Sequence, residues 1–209
     1  MFSHWTPRLN LVAILSLLWV WSDTALTQEA SMPSPTQTSN STGSQKKTEP
    51  AIVHNEVLER ATPDNIAVVV TLSSQRAQLK VGDETAIDAP VSTGQRAGWT
   101  PKGSFVIVQK EINHRSTVYG NFVSTEGHTV RSGVNSRKDI PPSGAAFVGA
   151  PMKWFMRLGS HLQDYTTVGM HAGKLPGYPA SHGCIRLPEQ VARLIFEKAK
   201  IGTPVMIVD

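Results

Sequence analysis

The chain has 209 residues, of which 40% are hydrophobic and 17% charged, which suits one globular domain with appendages and is short for two full domains. Its net charge is +4, but the basic residues are scattered and form no Lys/Arg blocks interleaved with aromatic side chains. Composition therefore disfavours a nucleic-acid-binding protein.

The N-terminus has the pattern of an export signal. A short leader with one arginine is followed by the apolar run LVAILSLLWVW at 11–21, interrupted only by Ser16. A run of this length suits the hydrophobic region of a signal peptide and is short for a bilayer span. We therefore predict a signal peptide or an uncleaved membrane anchor over 1–22; a buried core helix is the alternative.

Residues 23–63 are rich in Ser, Thr, Gln and Pro. Such a stretch holds too little apolar surface to offset the entropy lost on ordering. We predict a disordered tether over 23–63 and one folded domain over 64–209, exported to the periplasm or cell envelope and, with an uncleaved anchor, attached to the inner membrane.

The folded part is predicted to be mostly β. The segment NIAVVVTLSSQRAQLKVG at 65–82 predicts a hairpin, and further strands are expected at 104–110, 117–124, 153–158 and 166–170. Helical spacing of apolar residues after Pro188, with Gly202 as a stop, predicts a helix directly after the cysteine, and a last strand follows in 203–209.

The single cysteine, Cys184, has no partner for an intramolecular disulfide, and a free thiol outside the cytoplasm is open to oxidation. In SHGCIRLP at 181–188 it follows Gly183, which permits a tight turn, and it precedes the predicted helix. This setting favours a reactive thiol over a buried, inert one.

A thiol of ordinary pKa, about 8.5, is only slightly ionised at pH 7, so a nucleophilic cysteine needs a base. Two histidines lie nearby in sequence: His182, two residues before the cysteine, and His171 at the end of a predicted strand. We favour His171 because a residue on a separate strand can approach the sulfur from the side, but spacing alone does not choose. The backbone N–H groups of Gly183 and Cys184 are the expected oxyanion donors.

The string HAGKLPGYPASHGCIRLP at 171–188 resembles the signature of the L,D-transpeptidase (YkuD-type) catalytic domain: a first histidine, a loop, Ser-His-Gly-Cys, an apolar residue and Arg. Upstream, VSTGQRAGWTPKGSFVIVQK at 91–110 resembles the strand, glycine turn, Thr-Pro-x-Gly and following strand of the same family. We interpret the Thr-Pro-Lys-Gly piece as a plain turn between strands.

The resemblance implies a mostly β, sandwich- or barrel-like fold with one or two helices, and a thioester acyl-enzyme formed with peptidoglycan stem peptides as D-Ala leaves. It implies Cys184 as nucleophile and His171 as base, oriented by the backbone carbonyl of Ala172. The further residues expected to line the site or bind substrate are Ser181, His182, Gly183, Arg186 and Tyr178. No cofactor or metal is implied, and we expect a monomer.

Three alternatives stay open. Water as acceptor would make the same residues an amidase or carboxypeptidase, and the acceptor amine could belong to a stem peptide or to an anchored protein. A degenerate site would give a wall-binding module without catalysis. A zinc site would use His161, His171, His182 and Cys184, although their spacing lacks the usual paired-ligand motifs.

Overall fold

A computed structural model describes residues 49–162 and 164–209. The predicted export signal and residues 23–48 of the predicted tether lie outside the described residues. The described elements are β1 (Ile52–Val53), α1 (Asn55–Glu59), β2 (Ile66–Thr71), β3 (Arg76–Val81), β4 (Glu84–Pro90), β5 (Gly103–Ser124), β6 (Thr129–Asn135), β7 (Ala145–Gly159), β8 (Gly169–Ala172), β9 (Ile185–Leu187), α2 (Glu189–Lys198) and β10 (Pro204–Val208). Over these ranges, neither helix has the length and apolar character that a bilayer crossing requires.

The strands form one mixed sheet in the order β1-β4-β3-β2-β10-β5-β7-β8-β9, with β6 paired to β5. β10 runs parallel to β2 and β8 parallel to β9, while the other pairs are antiparallel. Isolated bridges from Ser92 to Arg186 and from Gly94 to Ser181 connect the segment after β4 with β9 and the turn before it. The prediction of a mostly β fold with a helix after Cys184 is confirmed.

The predicted hairpin and helix match their sequence patterns. β2 and β3 alternate between buried and half-buried positions, because successive side chains of a strand point to opposite faces. α2 begins after Pro188 and buries Val191, Ala192 and Ile195 against the sheet. The expected last strand is β10.

The strands expected at 104–110 and 117–124 are one continuous strand, β5, which pairs with β7 along most of its length. The sequence suggested a break because residues 111–117 are mostly exposed and carry no buried apolar alternation. We call residues 111–152 the arm; they comprise the outer halves of β5 and β7 together with β6.

β8 also starts later than expected. The Thr166 amide and hydroxyl both donate hydrogen bonds to the Leu158 carbonyl, which holds this residue outside the strand.

The folded part begins before residue 64, the boundary expected from composition. β1 pairs with β4, and α1 brings Leu58 into the core at 8% exposure, with Ala61 just behind it at 7%. A few apolar residues are enough to order this polar stretch, because they pair with the edge strand β4 and pack against the core. The tether boundary at 63 is therefore too late by about ten residues, as residues 52–61 are packed.

The two faces of the β7–β8–β9 region differ in character. One row of paired residues runs across β5, β7, β8 and β9 and consists of Lys110, Met156, Met170 and Ile185. The Lys110 ammonium donates a hydrogen bond to the Ala199 carbonyl at the end of α2. This row therefore lies on the face that α2 covers. Since neighbouring residues in a strand point to opposite faces, the other face presents the adjacent rows, which carry the polar residues of the candidate site.

Candidate active site

Strand register brings the predicted site residues to one face of the sheet. His171 on β8 is directly opposite Arg186 on β9. Cys184 immediately precedes β9 and lies two residues before Arg186, so its side chain belongs to the same face and is diagonal to His171. Phe155 of β7 adds a ring whose centroid is 6.5 Å from that of His171.

The His171 ring is held in one tautomer. It is 7% exposed, and its Nδ1 lies 2.8 Å from the Ala172 carbonyl oxygen. A carbonyl can only accept, so Nδ1 carries the hydrogen and Nε2 keeps its lone pair. The contact is to the carbonyl that the resemblance implied.

Burial lowers the pKa of His171 to about 4; the Ala172 carbonyl acts in the opposite direction, and the positive charge of Arg186 lowers the pKa further. The imidazole is therefore neutral at pH 7. A neutral imidazole with a free Nε2 is able to accept a proton.

The Cys184 thiol is half-buried, and its Sγ is 3.9 Å from the Thr167 carbonyl oxygen. Burial raises the pKa of this thiol above its ordinary value, against the opposing influence of the Gly169 amide and of the Arg157 and Arg186 charges. The resting sulfur therefore keeps its proton at neutral pH and needs a base to become a nucleophile.

The turn before Cys184 is held by its own serine. The Ser181 hydroxyl donates to the Cys184 carbonyl at 2.6 Å and accepts from the Gly183 amide at 3.0 Å. Gly183 has φ +130°, and a Cβ there would lie 2.8 Å from the Trp99 carbonyl oxygen. Only glycine fits this position, both for its backbone angle and for the close approach of the neighbouring chain.

These bonds bear on the expected oxyanion hole. In the resting turn the Gly183 amide donates to the Ser181 hydroxyl, which favours the Cys184 amide as the donor to a developing oxyanion. The Cys184 amide remains the proposed donor.

A second segment, residues 92–100, braces the same turn, and we call it the clamp. The Thr100 hydroxyl donates to the Gly183 carbonyl at 2.6 Å and accepts from the Gly94 amide at 2.8 Å, while Thr100 itself is 4% exposed. Ser92 exchanges two backbone hydrogen bonds of 3.0 Å with Arg186. Thr100 therefore does more than shape a turn between strands, because its hydroxyl fixes the peptide that precedes Cys184.

His182 is placed differently from His171. Its exposed ring stacks on Tyr119 of β5, with centroids 3.8 Å apart, and lies 5.6 Å from the Trp99 ring. Partial burial, and then Arg186, lower the pKa of His182. The His182 ring therefore connects the turn, the clamp and the arm. Because this ring is exposed and stacked on Tyr119, the geometry favours His171 over His182 as the base.

Tyr178 lies in the loop before the turn with its side chain 58% exposed, and its backbone carbonyl accepts a 2.8 Å hydrogen bond from the Ser92 hydroxyl. In the described part of the chain, no three His, Cys, Asp or Glu side chains group in a way that could hold a metal ion. The four residues considered for zinc are thus not assembled, and His161 is exposed in the loop after β7.

Two surface depressions have lining residues next to the candidate site, one in the clamp and one at the end of β8. One of about 370 Å³ lies behind the clamp and is lined in part by Thr93, Gly94 and Thr100. The other, of about 360 Å³, is lined by Ala172, Gly173 and residues of β7 and α2. The sequence analysis did not identify three residues of this region, which are Thr100, Tyr119 and Arg157.

Comparison with known proteins gives one family match and several structural similarities. The family model of the L,D-transpeptidase catalytic domain, YkuD, matches residues 65–207. None of the curated proteins matches this chain.

Among solved structures, the chain is similar to LdtMt1 in complex with imipenem (21% identity, TM-score 0.49, covering 69% of this chain and 59% of that one). It is also similar to an L,D-transpeptidase from Mycobacterium smegmatis (18%, 0.47, covering 69% and 59%). A third is an L,D-transpeptidase from Stackebrandtia nassauensis (16%, 0.48, covering 80% and 62%). The chain thus spans about six tenths of the length of these proteins.

Proposed function

Because the YkuD model matches residues 65–207, the chain belongs to the L,D-transpeptidase catalytic domain family, and from this premise we propose that it is a cysteine acyltransferase acting on peptidoglycan stem peptides. The observation that supports the proposal most is the proton arrangement on one sheet face. His171 is neutral with Nε2 unprotonated, and Cys184 is a protonated thiol on the same face.

In the proposed first half-reaction, the Cys184 proton moves to His171 Nε2 as Sγ attacks the carbonyl carbon of the third stem residue. The S–C bond forms, and the oxyanion is stabilised by the Cys184 backbone amide. The C–N bond to the terminal D-Ala then breaks, and its nitrogen takes the proton from Nε2. The product is a thioester on Cys184 and free D-Ala.

In the second half-reaction, an acceptor amine attacks the thioester and gives a proton to Nε2. The new C–N bond forms, the C–S bond breaks, and the sulfur recovers its proton from the imidazole. The same residues act in both half-reactions. If water instead of an amine attacks the thioester, the protein is a carboxypeptidase. The identity of the acceptor, a second stem peptide or an anchored protein, is left to experiment.

The proposal includes the location and the assembly state. Its substrate lies outside the cytoplasm, which is consistent with the export signal expected over 1–22 and a tether upstream of the folded part. We propose that the protein works in the cell envelope as a monomer, with the N-terminal segment as its link to the membrane if the signal is not cleaved.

The test is incubation of the purified protein with a disaccharide-tetrapeptide, followed by intact-protein mass and product analysis. We expect a covalent adduct on Cys184 and cross-linked dimers; tripeptide without dimers would identify water as acceptor. C184S should form no thioester, and H171Q should lower the acylation rate by roughly 10²–10⁴-fold. An unmodified wild-type protein and unchanged substrate would overturn the proposal.

A separate pair of inhibitors addresses the zinc alternative. Iodoacetamide should abolish activity by alkylating Cys184, and a chelator should leave it intact. Loss of activity with the chelator alone, restored by added zinc, would contradict the thiol mechanism.

A further inference from the structure

Two guanidinium groups lie on the sheet face that carries the thiol. Arg186 is two residues after Cys184 and opposite His171. Arg157 of β7 is opposite Gly169 of β8, which is the residue next to Cys184 across the sheet. Neighbouring strands are about 4.8 Å apart, so the Arg157 backbone is roughly 10 Å from that of Cys184, within the reach of an arginine side chain.

The Arg157 side chain is fixed by neutral partners. Its Nε donates to Gln109 Oε1 at 2.8 Å, one terminal nitrogen donates to the Thr166 carbonyl at 3.2 Å, and the guanidinium carbon is 5.0 Å from the centre of the Phe155 ring. The next carbonyl along the chain, that of Thr167, is the one 3.9 Å from Cys184 Sγ. Guanidinium and sulfur are therefore held beside the same short stretch of backbone.

Arg186 is positioned from the opposite side. Its backbone is bonded to Ser92 of the clamp, and its methylene groups lie against Gly173, where a Cβ would come 3.0 Å from Arg186 Cγ. Glycine at 173 thus leaves the room that the arginine side chain occupies.

Neither arginine is neutralised within the part of the chain that the structure describes. The ion pairs there involve other arginines, such as Arg76 with Asp88 and Arg131 with Asp139, and none includes Arg157 or Arg186. Two half-buried positive charges on one face without an anion are unfavourable. Their arrangement around the nucleophile fits a ligand that carries a carboxylate close to the reacting bond, since a guanidinium binds a carboxylate through two parallel hydrogen bonds.

This inference rests on the proposed function. We propose that Arg157, together with Arg186, binds the free α-carboxylate of the residue that leaves the donor peptide. In that residue only the α-carbon separates the carboxylate carbon from the scissile nitrogen, a distance of about two bond lengths. The carboxylate therefore lies a few ångströms from the carbonyl carbon that Sγ attacks. The pair thereby selects donors that have a single residue after the scissile bond, and Arg157 is the specificity-determining residue that the sequence motif does not include.

The test compares two donors that differ in one group: a tetrapeptide stem with a free terminal carboxylate and the same stem with a terminal carboxamide. Acylation of Cys184 is followed by intact mass and rapid-mixing kinetics. The wild-type protein should acylate from the carboxylate donor with a kcat/KM roughly 10- to 100-fold above that for the carboxamide. R157Q should remove most of this difference by slowing acylation from the carboxylate donor much more than acylation from the carboxamide donor.

R157K keeps the positive charge but lacks the two parallel N–H donors of the guanidinium, so it should retain only part of the preference for the carboxylate donor. R131Q, in the exposed arm, is the matched control and should preserve it. The inference is overturned if the wild-type protein does not distinguish the donors, or if R157Q slows both donors equally. If R157Q does not fold, R157K carries the test, and an unchanged donor preference in R157K would overturn the role of the Arg157 guanidinium. Failure of the proposed function looks different, since no adduct would then form on Cys184 from either donor.

Discussion

Burial sets the resting positions of the protons around Cys184. The same low-polarity surroundings that raise the pKa of the thiol lower the pKa of His171, because each group is pushed towards its neutral form. A preformed thiolate–imidazolium pair is therefore not the resting state of this site. The neutral pair becomes reactive only as the proton moves, with the Ala172 carbonyl holding the ring and stabilising its charged form.

The pH dependence of acylation follows from this state. His171 must be neutral to accept the proton, and its pKa of about 4 means that the neutral form persists well below the ordinary histidine range. We expect kcat/KM for acylation of Cys184 to stay high down to about pH 5 and to fall with an acid limb near 4. The measurement is single-turnover acylation between pH 3.5 and 8, with recovery after return to pH 7 as the control for unfolding.

H182Q provides the comparison for this profile, because His182 lies in the exposed stack and is not bonded to a carbonyl in the manner of His171. Its acid limb should stay at the wild-type position. A wild-type acid limb that H182Q abolishes or moves would instead identify His182 as the base.

The sequence predicted Cys184 as the nucleophile and offered His171 and His182 as its base, because a single cysteine and nearby histidines are visible without a fold. Arg157 and Thr100 could not be found in that way. Arg157 enters the site only through the register of β7 against β8, and Thr100 only because its hydroxyl meets a carbonyl 83 positions away. Neither contact leaves a local pattern in the chain.

Among the elements, the turn that carries Cys184 has little regular structure of its own. It is supported by the clamp on one side, through Thr100 and Ser92, and by the arm on the other, through the stack of Tyr119 on His182. Within the arm, only residues 117–124 were predicted as a strand. β6 was missed because most of its side chains are exposed and lack the alternation that marks a half-buried sheet. The hairpin of β2 and β3 and helix α2, which pack on the core, were found with nearly correct bounds.

Thr100 tests whether the clamp positions the turn. T100V keeps the side-chain volume but leaves the Gly183 carbonyl and the Gly94 amide without their partner. We expect the acylation rate of the folded protein to fall by about tenfold or more with little change in KM, because the turn loses its support while the substrate contacts remain. Buried groups left unpaired should also lower the free energy of unfolding by about 1–3 kcal/mol.

T100S retains the hydroxyl and should recover most of the rate. The measurements are single-turnover acylation and urea unfolding on the same preparations. If T100V lost stability yet acylated at the wild-type rate when folded, Thr100 would be a structural residue only.

For the whole molecule, the site lies where the sheet connects its distant parts. The bridge from Ser92 to Arg186 joins the end of β4 to β9, although β4 and β9 lie far apart in the strand order. The core is continuous from the hairpin of β2 and β3 to the residues beneath α2. Sequence patterns predicted several of the strands, though not β4 or β9, and they did not predict this connection, because a single bridge between distant segments depends on the curvature of the entire sheet.

The burial of His171 also affects the stability of the folded chain. In the unfolded state this histidine takes up a proton near pH 6.5, whereas the folded state does so only near 4, so the unfolded form binds more protons between these values. The free energy of unfolding should therefore fall as the pH drops from about 6.5 to 4, by up to about 3 kcal/mol from this residue, and this contribution should level off below 4.

Urea unfolding of the wild type and of H171Q at pH 7, 5.5 and 4.5 measures this contribution. The wild type should lose more stability than H171Q over this range by about that amount, since the other titrating groups are shared. Parallel curves for the two proteins would show that His171 titrates normally in the folded state and would remove the basis for a neutral base beside Cys184 at acidic pH.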